Sequence, residues 1–150
     1  MNTMFIIVCV IIIGFIIWKM KQSCWHKSIA VGDTALIKRL LDEGADINAK
    51  DEGLTLLMKA ATDGYVRTAK LLVDKGADID AKTDEGNTAL MYAAMAGYAK
   101  IAELLVNAGV NVRAKNNMGW TAEMYANDKG YASITQIIGG GAASVEPERK

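Results

Sequence analysis

The side chains able to do acid–base, nucleophilic or metal chemistry are few in this chain, and their spacing does not assemble a site. His26 is the one histidine. Its imidazole titrates near neutrality and suits proton transfer, but no nucleophile–base pattern accompanies it. Cys9 and Cys24 have neither C-x-x-C spacing nor a histidine partner pattern of the kind zinc needs. Gly139-Gly140-Gly141 lacks the Lys-Ser/Thr that would turn a glycine run into a phosphate cradle. The adjacent carboxylates Asp51-Glu52 and Asp84-Glu85 recur at a fixed interval, which reads as solvated turn residues repeating with the fold. The expectation is a protein that is not an enzyme, with no cofactor, no metal and no small-molecule substrate.

Charge excludes further classes. Lys plus Arg and Asp plus Glu each total 17, so the chain is formally neutral. The lysines are scattered, with Lys50, Lys82 and Lys115 recurring at equivalent places, and no basic stripe marks a nucleic-acid footprint. No nucleic-acid partner is expected.

The N-terminus differs from the rest. Residues 1–18 carry no charged side chain, and 4–18 read MFIIVCVIIIGFIIW before Lys19, Met20 and Lys21. As a helix rising about 1.5 Å per residue, the uncharged stretch spans roughly 27 Å, near the lower limit for crossing hydrocarbon. It is apolar on every face, unlike a helix that packs on a soluble core. A cleaved leader, the competing reading, would have a basic start and a small-x-small cleavage site, and neither is present. The expectation is an uncleaved anchor over 1–22, touching membrane through residues 4–18, with Trp18 at the interface. Lys19 and Lys21 then place the following domain in the cytoplasm. The inverted topology, with the domain in a periplasm or equivalent space, is the alternative.

Beyond the anchor the sequence repeats. DEGLTLLMKAATDGYVRTAKLLVDKGADIDAK (51–82) aligns with DEGNTALMYAAMAGYAKIAELLVNAGVNVRAK (84–115) at an offset of 33. Gly53, Gly86 and Gly119 recur at that interval, as do Thr55, Thr88 and Thr121, and Tyr65, Tyr98 and Tyr131. An earlier copy ends Gly44-Ala45-Asp46-Ile47-Asn48-Ala49-Lys50, offset by 32 because Thr83 has no counterpart after Lys50. A threonine before an apolar run predicts a helix N-cap. Ala60-Ala61 and Ala93-Ala94 permit close helix approach. Gly64, Gly97 and Gly130 predict helix ends in the left-handed conformation. Second helices follow over 66–74 and 99–107, ending at Gly76 and Gly109.

This turn–helix–turn–helix period resembles the ankyrin repeat, whose pattern is matched by Gly86-Asn87-Thr88-Ala89-Leu90-Met91-Tyr92-Ala93-Ala94-Met95-Ala96-Gly97-Tyr98 and by Gly44–Ala49. The style Thr-Ala-Leu-Met-Tyr-Ala-Ala is similar to bacterial members. Two departures stand out. The family's proline after threonine is Leu56, Ala89 or Ala122, and its histidine is Met58, Met91 or Met124. Methionine can fill that space with apolar packing, whereas His26 keeps the family's structural histidine in the first copy. The resemblance implies an all-α fold, a solenoid of about four helix-turn-helix repeats (23–50, 51–83, 84–116 and 117–138), which the apolar run would precede with one transmembrane helix. In the fourth copy, Asn127, Ser133, Thr135 and Gln136 suit an outward-facing cap, and 139–150 reads as a disordered tail.

Members of that family typically bind proteins through the turn tips and the exposed end of each first helix. Carried over position by position, the resemblance implies partner contacts at Glu52, Leu54 and Asp63, at Glu85, Asn87 and Met95, and at Met118, Trp120 and Asp128. Exposed large apolar side chains are the informative members of this set. Trp120 is either a binding hot spot or part of the terminal cap. The function implied is recruitment or holding of a protein partner at a membrane. The alternative is an exported periplasmic or envelope-maintenance factor assisting another enzyme.

Overall fold

The computed structural model describes residues 32–143, with side chains to residue 140. The expected anchor, the first helix of the first copy and His26 lie outside the described residues. No helix among the described residues is long and apolar enough to cross a membrane. The chain divides into two units, one ending at Ala45 and one beginning at Asp46.

In the first unit, α1 (Thr34–Asp42) is the second helix of copy one. Asp33 caps it, its carboxylate accepting from the Leu36 N–H at 3.0 Å. Ile37 and Leu40, three residues apart, form its buried face. The helix closes where the repeat pattern predicts, with the Ala45 N–H donating to the Leu40 carbonyl across Gly44.

The second unit opens with a hairpin, β1 (Lys50–Asp51) and β2 (Leu54–Thr55). Three helix pairs follow: α2 (Leu56–Asp63) and α3 (Val66–Asp74), α4 (Ala89–Ala96) and α5 (Ala99–Asn107), α6 (Ala122–Asp128) and α7 (Ala132–Ala143). The first helices stack on one another, α2 on α4 and α4 on α6, while the second helices stack as α3 on α5 and α5 on α7. Ala60, Ala61, Ala93, Ala94 and Ala126 are fully buried, so small side chains let the first helices approach. Leu57, Met58, Leu90, Met91, Leu72, Leu105, Ile134 and Ile138 fill the space between them. Each of these larger chains contributes on the order of 1.5–3 kcal/mol by leaving water.

The expected caps form. Thr55, Thr88 and Thr121 accept from the N–H of Met58, Met91 and Met124 at 3.3, 3.4 and 3.3 Å, each worth about 1 kcal/mol. The methionine that replaces the family's histidine does more than pack in copy two. Its sulfur accepts from the Thr55 N–H at 3.4 Å, closing a reciprocal cap. α2 and α4 end at Gly64 and Gly97 with φ of 81° and 83°. A side chain at Gly64 would collide with the Tyr98 ring, and one at Gly97 with Tyr131. Each tyrosine is therefore seated on the glycine that ends the preceding copy's first helix.

Between copies, the recurring lysines stitch backbone to backbone. Lys50 Nζ donates to the Lys82 carbonyl at 2.8 Å, and Lys82 Nζ to the Lys115 carbonyl at 3.2 Å. Asn48 Oδ1 and Asp80 Oδ1 accept from the N–H of Asp78 and Asn111 at 2.8 and 2.9 Å.

Two expectations need correction. The fold is mostly helical rather than all-α, because the missing residue after Lys50 shortens the second copy's turn to Glu52-Gly53. Both loop residues then have positive φ, 50° and 79°, matching the tight turn that lets flanking strands pair. Asp51 opposes Leu54 and Lys50 opposes Thr55. In copy three, Thr83 restores the extra residue, its carbonyl accepting from the Gly86 N–H and its hydroxyl from the Asn87 N–H. Of the tail expected over 139–150, residues 139–143 instead continue α7, and 144–150 lie outside the described residues. Ile134 and Ile138 anchor that helix in the core, and extending a formed helix through glycine costs only about 1 kcal/mol per residue.

Candidate functional site

The turn tips of the second unit are built by short-range hydrogen bonds and then tied to one another. Asn116 stands one period after Thr83 and takes over its role with greater reach. It is 6% exposed. Its Oδ1 accepts from the N–H of Met118 and of Trp120 at 3.0 and 2.9 Å. Its Nδ2 donates to Asn87 Oδ1 and to the Tyr125 hydroxyl, both at 2.8 Å. The buried amide thus meets its donor and acceptor needs while fixing the fourth turn against the third copy and against α6. Asn117 adds a second tie: its N–H donates to the Glu85 carbonyl and its Nδ2 to the Asp84 carbonyl, both at 2.9 Å.

The third and fourth turns are therefore locked side by side, bringing Glu85 and Asn87 beside Met118 and Trp120. Met118 is 70% exposed at the tip. Trp120 is half-buried, its ring 5.0 Å from that of Tyr125 at a tilt of 41°. Asn87 is half-buried within the same network. Glu85 is exposed. The Thr83 hydroxyl, followed by Glu85's own backbone N–H, holds its carboxyl below its ordinary value of 4.5.

Glu52 and Leu54 sit on the hairpin, the first exposed and the second half-buried. Beside them Asp51 forms an ion pair with Lys59 of α2. Asp63, Met95 and Asp128 occupy the last turns of α2, α4 and α6 and are all exposed, Met95 at 37%. These three stand at the far end of their helices from the turns, about 12 Å along an eight-residue helix. The nine positions thus fall into two sets, a ledge of turn tips at the start of the first helices and of residues in their last turns.

Four contributors are not legible as such from the sequence. Asn116 lies exactly where periodicity would place a second Thr83, but its fourfold bonding depends on partners from two copies. Tyr98 and Tyr131, each 37% exposed, were visible as a period yet not as inter-copy contacts. Met124 is 49% exposed, whereas Met58 and Met91 are fully buried, because no further helix pair among the described residues covers α6.

Comparison with known proteins bears on the repeat family. A family model for ankyrin repeats in many copies matches residues 28–73 and 57–106. Protein phosphatase 1 regulatory subunit 27 of Homo sapiens is 42% identical over 60 residues, 39% of each chain. Ankyrin repeat, SAM and basic leucine zipper domain-containing protein 1 of Oryctolagus cuniculus is 35% identical over 65 residues, 43% of this chain and 14% of the relative. Potassium channel AKT1 of Oryza sativa subsp. indica is 41% identical over 54 residues, 35% of this chain and 6% of the channel. The chain spans about two fifths of the phosphatase subunit's length and far less of the other two. With its 33-residue period, threonine caps, glycine-ended helices and stacked helix pairs, this chain belongs to the ankyrin-repeat family.

Proposed function

We propose that the chain is a non-catalytic binding module, held at a membrane by residues 4–18, that recruits or retains a protein partner on the ledge of turn tips and first-helix ends. Ankyrin repeats imply protein–protein interaction, and one similar protein is by name a regulatory subunit of an enzyme. The carrying observation is the exposure of Met118 and Met95, 70% and 37%, at ledge positions. Monomeric surfaces tolerate single exposed apolar side chains. These two differ in lying at a turn tip and at a first-helix end of adjacent copies, with the turn beneath Met118 tied by Asn116 and Asn117. An immobilised tip loses little freedom when a partner seats on it.

The test places a photoreactive residue at Met95, at Met118 and, as a control, at exposed Lys100 on α5 of the full chain in producing cells. Adducts from the first two positions and none from the third are expected. Adducts from position 100 alone would overturn the ledge as the docking surface. Orientation is read separately, with Cys9 and Cys24 replaced and a cysteine placed at position 144. Protection from an impermeant thiol reagent until lysis puts the repeats on the cytoplasmic side, and labelling in intact cells makes the protein an outward-facing envelope factor.

A further inference from the structure

A formally neutral chain distributes its charge unevenly over the second unit. On the ledge, Glu52, Asp63, Asp84, Glu85 and Asp128 are exposed carboxylates. Lys129 follows Asp128 at one helix end, and Lys59 beside the hairpin is engaged by Asp51. Lys50, Lys82 and Lys115 are exposed at the base of the turns, and Lys50 and Lys82 each donate to the next copy's carbonyl. Lys70 and Lys100 line an open groove on the second helices with Asp74 and Glu103 for company.

The carboxylates alone would mean only solubility. What sets them apart is the apolar tip fixed among them, since Asn117 ties Met118's own turn to the carbonyls of Asp84 and Glu85. We propose, resting on the docking surface described above, that the partner seats there a segment bearing an apolar side chain flanked by lysines or arginines. The apolar group covers Met118, and the cations meet the carboxylates of the adjacent turn and hairpin.

Charge argues against the other occupants. A second copy of this chain would bring its own acidic ledge, and like charges across an interface cost several kcal/mol. A wholly apolar segment would strip water from Asp84 and Glu85 without replacing it. The Thr83 hydroxyl keeps the Glu85 carboxylate ionised to lower pH than an ordinary glutamate.

The experiment digests the adduct formed at position 118 of the full chain and sequences the attached partner segment. That segment is then synthesised as a peptide and titrated onto the full chain. The expected segment carries lysines or arginines around an apolar residue. Glu52→Lys with Asp84→Lys should weaken it by about tenfold or more, as charge repulsion at an interface does. Met118→Ser should weaken it by about fivefold, the range for removing a buried anchor. Asp84→Asn, which keeps the side chain's shape, should give an intermediate loss and shows that misfolding is not the cause. A segment rich in Asp or Glu, one without lysine or arginine, one from a second copy, or an affinity indifferent to the lysine substitutions overturns the inference while leaving the docking surface in place. Absence of adducts at both 95 and 118 overturns the docking surface itself.

Discussion

Glu52 holds a backbone conformation that glutamate rarely takes, φ +50°, because the second copy's hairpin leaves only Glu52 and Gly53 to reverse the chain. For a residue with a Cβ the left-handed region costs roughly 1–2 kcal/mol. Asparagine tolerates it through local hydrogen bonding, and Asn-Gly is the favoured pair for this turn. Glu52→Asn should therefore raise stability by about 1 kcal/mol, read as a higher urea midpoint with an unchanged slope. Glu52→Ala retains the conformational cost and should give no such gain. Equal gains from both would assign the effect to removing charge rather than to the backbone. If Glu52 also meets the basic partner, Glu52→Asn should stabilise the free protein and weaken the complex, opposite signs that separate strain from folding need.

At the scale of the element, neighbouring helix pairs are joined by a tyrosine seated on a glycine. Gly64 and Gly76 both have φ above 80°, but a Cβ at Gly76 meets nothing within 4 Å, whereas one at Gly64 would lie 2.4 Å from the Tyr98 ring. Alanine at either position incurs the left-handed penalty of about 1–2 kcal/mol. Gly64→Ala should cost about 1 kcal/mol more than Gly76→Ala, because it also unseats a neighbouring copy's ring. Combining Gly64→Ala with Tyr98→Ala should then be less damaging than the sum, a coupling that a double-mutant cycle measures. Additive losses would mean the ring swings aside at no cost. The glycine and the tyrosine were each legible in the sequence as a 33-residue period, as were Thr55, Thr88 and Thr121 as caps. Their pairing was not, since a period reports which positions are equivalent and not which ones touch. The same limit hid Asn116: as Thr83's equivalent it reads as a turn residue, and its bonds to Asn87 and Tyr125 exist only once copies stack. Local signals also placed a disordered tail from residue 139, but Ile134 and Ile138, buried in the core, carry the helix past three glycines to Ala143.

For the whole molecule, two properties have to coexist in 150 residues: a neutral repeat array with one acidic ledge and an uncharged stretch over residues 1–18. Stacked repeats draw their stability from neighbour-to-neighbour contact, and the second unit's copies supply one another's ties through Lys82, Asn116 and Asn117. The array should therefore fold without the uncharged stretch, and the stretch should decide only where it resides. Deleting residues 2–18 should move the protein from the carbonate-resistant membrane pellet to the supernatant. Helical circular dichroism and the denaturant midpoint of the repeats should change little, since no described contact of the second unit is removed. Release of the intact chain by carbonate would refute the tether. A deletion variant that still sediments with membranes before the carbonate wash would instead mean that the exposed apolar tips, Met118 and Met95 among them, bring the repeats to the membrane through a partner. Those two outcomes differ in salt dependence. A partner held by its lysines and arginines on the acidic ledge should release the deletion variant as salt rises and screens the exposed charges, whereas residues 4–18 buried in hydrocarbon should hold the intact chain at any ionic strength.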